Sequence, residues 1–153
     1  MAWHIHGHRI HFGWIVICVV ILTAAAGGFG GGPSTRLSAS SADRLLHLKY
    51  DGLWRMNAPT TLALRTSKPL DTGSLHIALN RAYLENVRID WILPQPYLVH
   101  GSADHVSFHF IGDPENPGMA VDFSITPLTT GMLHAQIAIE GSQPIRFRQF
   151  IYP

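Results

Sequence analysis

From Arg44 onward apolar and polar residues alternate with a period of two, the pattern of strands that bury one face. Leu46-His47-Leu48-Lys49-Tyr50, Thr61-Leu62-Ala63-Leu64-Arg65, Leu75-His76-Ile77-Ala78-Leu79 and Val87-Arg88-Ile89-Asp90-Trp91 all read this way. So do Val106–Phe110, Val121–Ile125, Leu133–Ile139 and Ile145–Arg148. Turn residues separate them, most clearly at Asp71–Ser74, Gly112–Gly118 and Glu140–Pro144. Short strands at this spacing predict an all-β domain, an antiparallel Ig/fibronectin-like β-sandwich of seven or eight strands over 44–153. A β-barrel is the alternative. No Cys…Trp…Cys pattern is present, and Asn80–Asn86 has room for one helical turn.

The same alternation names a core. Leu46, Leu48, Leu62, Leu64, Leu75, Ile77, Leu79, Ile89, Val106, Phe108 and Phe110 are expected to point inward. Val121, Phe123, Ile125, Ile137, Ile139 and Phe147 join them. Trp91 shares the parity of Ile89 and is expected to be a central aromatic, its indole N–H needing a partner.

Before residue 44 the pattern is different. Arg9 and Arg36 bracket a stretch without charged side chains, and its apolar part, Phe12–Phe29, has 18 residues. As a helix that is roughly 27 Å at ~1.5 Å per residue, close to the ~30 Å of a bilayer core. Two readings stay open: an uncleaved transmembrane anchor, or a secretory signal cut near Ala24-Ala25-Ala26. In both, the β domain is exported, and Arg9 places the tail 1–11 in the cytoplasm by the positive-inside rule. Residues 30–43 are rich in Gly, Ser, Ala and Thr and read as a tether. Ala24 and Gly28 offer a small-residue face for helix contact within the bilayer.

Composition narrows the function classes. Charged residues are 14% of the 153 and the net charge is +1, with the basic residues scattered rather than clustered. That excludes a nucleic-acid partner of the basic-patch type. The single cysteine, Cys18, allows neither an intrachain disulfide nor a cysteine zinc site. No G-x-S-x-G, H-E-x-x-H or P-loop occurs, and no paired carboxylates emerge from spacing, so no enzyme and no cofactor is expected.

Ten histidines are the chemical oddity. His4, His6, His8 and His11 crowd the N-terminal tail, where they are either metal ligands or a weakly basic polar segment. In the β domain, His47, His76, His109 and His134 fall on the polar phase of strands. His105 and His109 share one face of one strand and are the alternative metal ligands, but roughly 13 Å apart at ~3.3 Å per residue. They would share a metal only through a bulge, or through a histidine on a neighbouring strand.

Two apolar segments outside the inward phase point to partner binding. Ile92-Leu93-Pro94-Gln95-Pro96-Tyr97-Leu98 is proline-bracketed and expected to be extended, with Leu93, Tyr97 and Leu98 as contacts. Phe150 and Tyr152 close the chain, as contacts or as a continuation of the last strand's inward face.

Phe29-Gly30-Gly31-Gly32-Pro33, Ala58-Pro59-Thr60-Thr61-Leu62, Tyr83-Leu84 and the ending Phe147–Pro153 carry a resemblance. The chain resembles a family of short bacterial inner-membrane proteins with one N-terminal helix and an exported Ig-like β domain. The resemblance spans most of the chain and implies an envelope location, without implying an activity. Together with the absence of a catalytic motif it leads to the expectation of a non-catalytic, membrane-anchored accessory or scaffold subunit. Its expected partners are an integral membrane protein or complex and the lipid bilayer. An exported metal-binding or metal-delivery domain is the alternative.

Overall fold

The computed structural model describes residues 6–25, 36–67, 73–112 and 118–153, with side chains of the first helix described over 13–22. The chain divides into two units, Met1–Thr35 and Arg36–Pro153. In the first, α1 runs His6–Ala25. Its described side chains, Gly13 to Leu22, are exposed on every side although nearly all are apolar. Among the described residues no helix is long and apolar enough to cross a membrane. The helix starts inside the polar His/Arg tail, so residues 12–25 leave about 21 Å of apolar length at ~1.5 Å per residue. The rest of the expected span, 26–29, and Gly28 with it, lies outside the described residues.

In the second unit two sheets face each other. The strands are β1 (Arg36–Ser40), β2 (Leu46–Asp51), β3 (Leu53–Arg55), β4 (Thr60–Thr66), β5 (Ser74–Asn80) and β6 (Val87–Leu93). After them come β7 (Leu98–Gly101), β8 (His105–Ile111), β9 (Ala120–Pro127), β10 (Gly131–Ile139) and β11 (Ile145–Tyr152). One sheet has the order β1-β2-β4-β9-β6 and the other β3-β11-β10-β5-β8-β7. Every pairing is antiparallel except β3 on β11. The one-turn helix α2, Arg81–Leu84, links β5 of one sheet to β6 of the other.

The all-β sandwich expected from alternation is present, with eleven strands among the described residues rather than seven or eight. The additional strands are short edges whose sequences do not alternate cleanly. Strand β1 lies inside the expected tether, so the domain starts at Arg36 rather than 44. Its Ser/Ala-rich sequence resembles a linker because an edge strand can stay wet on both faces, while its backbone pairs with β2 from Arg36↔Asp51 to Ser40↔His47. Parts of two expected turns, 71–72 and 113–117, lie outside the described residues.

The core follows the alternation closely. Leu46, Leu48, Leu62, Ile77, Phe110, Val121, Phe123, Ile125 and Ile137 have no exposed surface. Each such side chain contributes about 1.5–3 kcal/mol by burial. Phe108 and Phe110 pack edge-on against Phe123 across the two sheets, with ring centroids 5.3 and 6.4 Å apart. Ile89 and Val106 are only half-buried, on strands at or near a sheet edge. Val87, Leu133, Ala135 and Ile145 share the parity of the named residues on their strands and are buried with them, while Tyr83 and Ile151, also buried, lie outside the alternating runs.

Trp91 is not in the core; it is 50% exposed. Ile89 pairs with Ile125 and Trp91 with Ser124, so one residue, Asp90, is extra on β6. A bulge of this kind inverts the parity of everything after it. Trp91 turns outward and Ile92, opposite Phe123, turns toward the core. Asp90 is held by hydrogen bonds from Thr126 Oγ1 (2.6 Å) and Arg88 Nε (2.8 Å). These bonds keep its carboxyl below the ordinary carboxylate range.

Candidate functional site: the β6–β7 edge and the histidine face

Strands β6 and β7 are the terminal strands of the two sheets, joined by the short link 94–97. They therefore form one side of the sandwich. This side carries Trp91, Leu93, Tyr97, Leu98 and Val99, all exposed, and Ile111 on neighbouring β8 is 73% exposed. All four residues of β7 are exposed. Leu93, Tyr97 and Leu98 are thus where the sequence expected accessible contacts, and Trp91 was missed because the bulge was not legible. The link is anchored by the Tyr97 N–H, which donates to the His109 carbonyl at 2.9 Å.

Phe150 and Tyr152 do not belong to this edge. Strand β11 lies four strands from β7 in the same sheet, about 19 Å away at ~4.8 Å per strand. Gln149 and Ile151 take the inward phase of β11, while Phe150 is 46% exposed beside Met132 of β10. The reading in which Phe150 and Tyr152 continue the inward face is therefore corrected: the inward parity belongs to 145, 147, 149 and 151. Ala24 lies in α1, but its side chain is outside the described residues.

The outer face of the six-stranded sheet holds His76, His100, His105, His109 and His134; only His47, among the domain histidines, is on the other sheet. His105 and His109 stay on one strand, and the structure does not bring them together. His105 instead pairs with Ser102, Nδ1 to Oγ 3.0 Å. The strand register does bring His109 directly opposite His76 of β5, with ring centroids 4.2 Å apart. The His76 Nδ1 lies 2.7 Å from Glu140 Oε2, just past the end of β10. Tyr97 approaches His109 edge-on at 6.1 Å. Partial burial pushes the His109 imidazole below its ordinary value, and the neighbouring His76 and His100 add to this against the opposing pull of Glu140. Ala78, Ser107 and Ala138 border these rings, leaving a shallow groove of about 390 Å³ over them. Among the described residues no three or more His, Cys, Asp or Glu side chains converge on a metal position.

No family model and no curated protein matches the sequence. Among solved structures, the chain is similar to a cohesin module from a family 33 glycoside hydrolase of Clostridium perfringens. The identity is 11%, with a TM-score of 0.44, over 69% of this chain and 94% of that one. It is similar also to a non-cellulosomal cohesin from the archaeon Archaeoglobus fulgidus, at 10% identity and a TM-score of 0.44. That match covers 78% of this chain and 91% of the other.

Proposed function

We propose that this chain is a non-catalytic accessory or scaffold subunit of a bacterial envelope membrane-protein complex. The apolar segment 12–29 is its membrane anchor, and the exported sandwich holds an integral membrane protein through the β6–β7 edge. The observation that carries the reading is the concentration of exposed Trp91, Leu93, Tyr97 and Leu98 on two joined edge strands. A lone exposed Leu needs no explanation, but grouped aromatics and aliphatics on sheet edges mark contact surfaces. The anchor is supported by the exposure of apolar side chains on all sides of α1, which favours a lipid or protein environment over water. Anchoring confines the sandwich near membrane partners and raises their effective concentration.

The test is co-purification of the tagged full-length chain from bacterial membranes in mild detergent, with Leu93→Ser and Tyr97→Ser variants alongside. An integral membrane protein is expected with the parent chain and lost from both variants at unchanged thermal stability. A parent chain that purifies as a lone monomer, or variants that keep the companion in full, overturns the reading. A C-terminal alkaline phosphatase fusion that is inactive in the envelope would overturn the exported topology.

A further inference from the structure

The histidine pair on the outer sheet face has a ligand chemistry of its own, beside the β6–β7 edge whose Tyr97 borders His109. We propose that His76 and His109 form a two-imidazole site for a late first-row divalent cation, copper(II) before zinc, with Glu140 orienting His76. Cross-strand partners hold their Cβ atoms about 4.5–5.5 Å apart. Here the two rings lie 4.2 Å apart by centroid, close enough for both imidazoles to reach one ion. Metal–nitrogen bonds of ~2.0–2.1 Å suit such a spacing.

Glu140 supplies the second part. Its Oε2 accepts from His76 Nδ1 at 2.7 Å, which keeps the proton of the neutral ring on Nδ1 and the lone pair on Nε2. A carboxylate behind a histidine in this way fixes the tautomer and raises the basicity of the ligating nitrogen. The third part is access. Toward β10 the flanking outward residues, Ala78, Ser107 and Ala138, are small and leave a groove with room for an ion and water completing its shell, while Tyr97 and Leu98 flank His109 on its other side. With two nitrogen ligands and water, the order of divalent affinities places copper first. His105 and His134 lie on the same face outside this arrangement and serve as internal controls.

The experiment is a CuCl₂ titration of the full-length chain in detergent, read by calorimetry and electron paramagnetic resonance. His4, His6, His8 and His11 are replaced by Asn throughout, so that tail histidines do not compete. The expected result is one bound copper per chain, lost in His76→Asn and in His109→Asn and retained in His105→Asn and His134→Asn. Glu140→Gln is expected to weaken binding by about 10–100-fold, the usual cost of losing such a supporting carboxylate. A second readout needs no variant: amide NMR signals of Ala78, Ser107 and Ala138 should broaden first on copper addition. The proposal is overturned if binding persists in the His76 and His109 variants. It is equally overturned if no stoichiometric copper binds, or if broadening centres elsewhere on the domain.

Discussion

Replacing Tyr83 by Phe removes one oxygen atom, and the expected consequence follows from where that oxygen sits. Tyr83 lies on α2, is 1% exposed, and donates to Gln149 Oε1 at 2.6 Å. Gln149 is itself fully buried on the inward face of β11 and donates through Nε2 to the Asp51 carbonyl at 2.8 Å. The chain of bonds ties the turn between the sheets, the last strand and the end of β2 into one polar thread through an apolar core. Burial pushes the Tyr83 phenol far above its ordinary range, so it remains a donor at any working pH. Tyr83→Phe keeps the ring and its edge-on contact with Phe147, at 5.9 Å, but orphans the Gln149 oxygen. A buried acceptor left without a partner costs about 1–3 kcal/mol. For a domain of this size the unfolding midpoint should fall by about 4–12 °C, at roughly 4 °C per kcal/mol.

Gln149→Leu alone orphans both the Tyr83 hydroxyl and the Asp51 carbonyl, so it should cost at least as much. The double variant Tyr83→Phe/Gln149→Leu leaves only the carbonyl unpaired. Its loss should fall short of the sum of the single losses by about 1–2 kcal/mol, the signature of a shared bond. Thermal and urea unfolding of the full-length chain, followed by circular dichroism, measures all four proteins. A Tyr83→Phe protein as stable as the parent, or strictly additive single losses, would refute the reasoning.

Outcomes are expected for five further substitutions. Asp43 accepts from Ser41, Ser142 and the Leu45 and Gln143 amides, and these bonds lower its carboxyl from 3.8 to about 2. The folded value is depressed, so the contribution is complete above the ordinary value and lost as pH falls through the folded one. Asp43→Ala should therefore lower the unfolding midpoint at neutral pH, with the gap to the parent closing between pH 3.8 and about 2. Gly118 has φ +119°, and a Cβ there would stand 2.6 Å from the Thr66 carbonyl oxygen. Gly118→Ala should thus cost more than the about 1–3 kcal/mol of backbone strain alone. Gly131→Ala, at φ +107° with open space around it, isolates that strain and should cost less in the same urea titration. Trp91→Ser should change stability by no more than about 0.5 kcal/mol, as at other exposed positions. Leu62→Ala, in the core, should cost about 2–5 kcal/mol.

Much of the sandwich is legible because burial of one sheet face imposes a period of two on the residues that make it. Leu62 and Leu64, or Phe108 and Phe110, declare their direction without any knowledge of their neighbours. The pattern fails where a strand is not buried on one face. Arg36–Ser40 and Leu98–Gly101 are edges, so their side chains carry no alternation and their pairing is a property of the backbone. It fails also where a polar residue is inside. Gln149 breaks the apolar phase of the last strand, although its two hydrogen bonds make it as much a core residue as Ile151.

The candidate sites depend on relations between strands, which periodicity along one strand does not contain. Spacing assigned His105 and His109 to the same face, and the face is right, yet two residues four apart on a straight strand cannot meet. What joins His109 to another imidazole is the β5–β8 register, which sets His76 opposite it, together with the β10 exit that delivers Glu140. The β6–β7 edge has the same character. One extra residue at Asp90 turns Trp91 from the core to the surface, beside the exposed Leu93 that opens the link to β7. Without the bulge the same sequence would set Asp90 opposite Ser124 and Trp91 opposite Phe123, at the inward parity, where an indole would have to be added beside Phe123. An overpacked core typically loses about 1–3 kcal/mol. The bulge is therefore what keeps an apolar aromatic on the surface without cost to the interior. A deletion of Asp90 removes the extra residue but leaves Trp91 opposite Ser124 and so outward. The variant should lose stability in urea titration with the Asp90 bonds to Thr126 and Arg88, while Trp91 stays open to acrylamide quenching. A deletion variant in which Trp91 becomes protected from acrylamide would show that its place opposite Ser124 does not set the direction of Trp91.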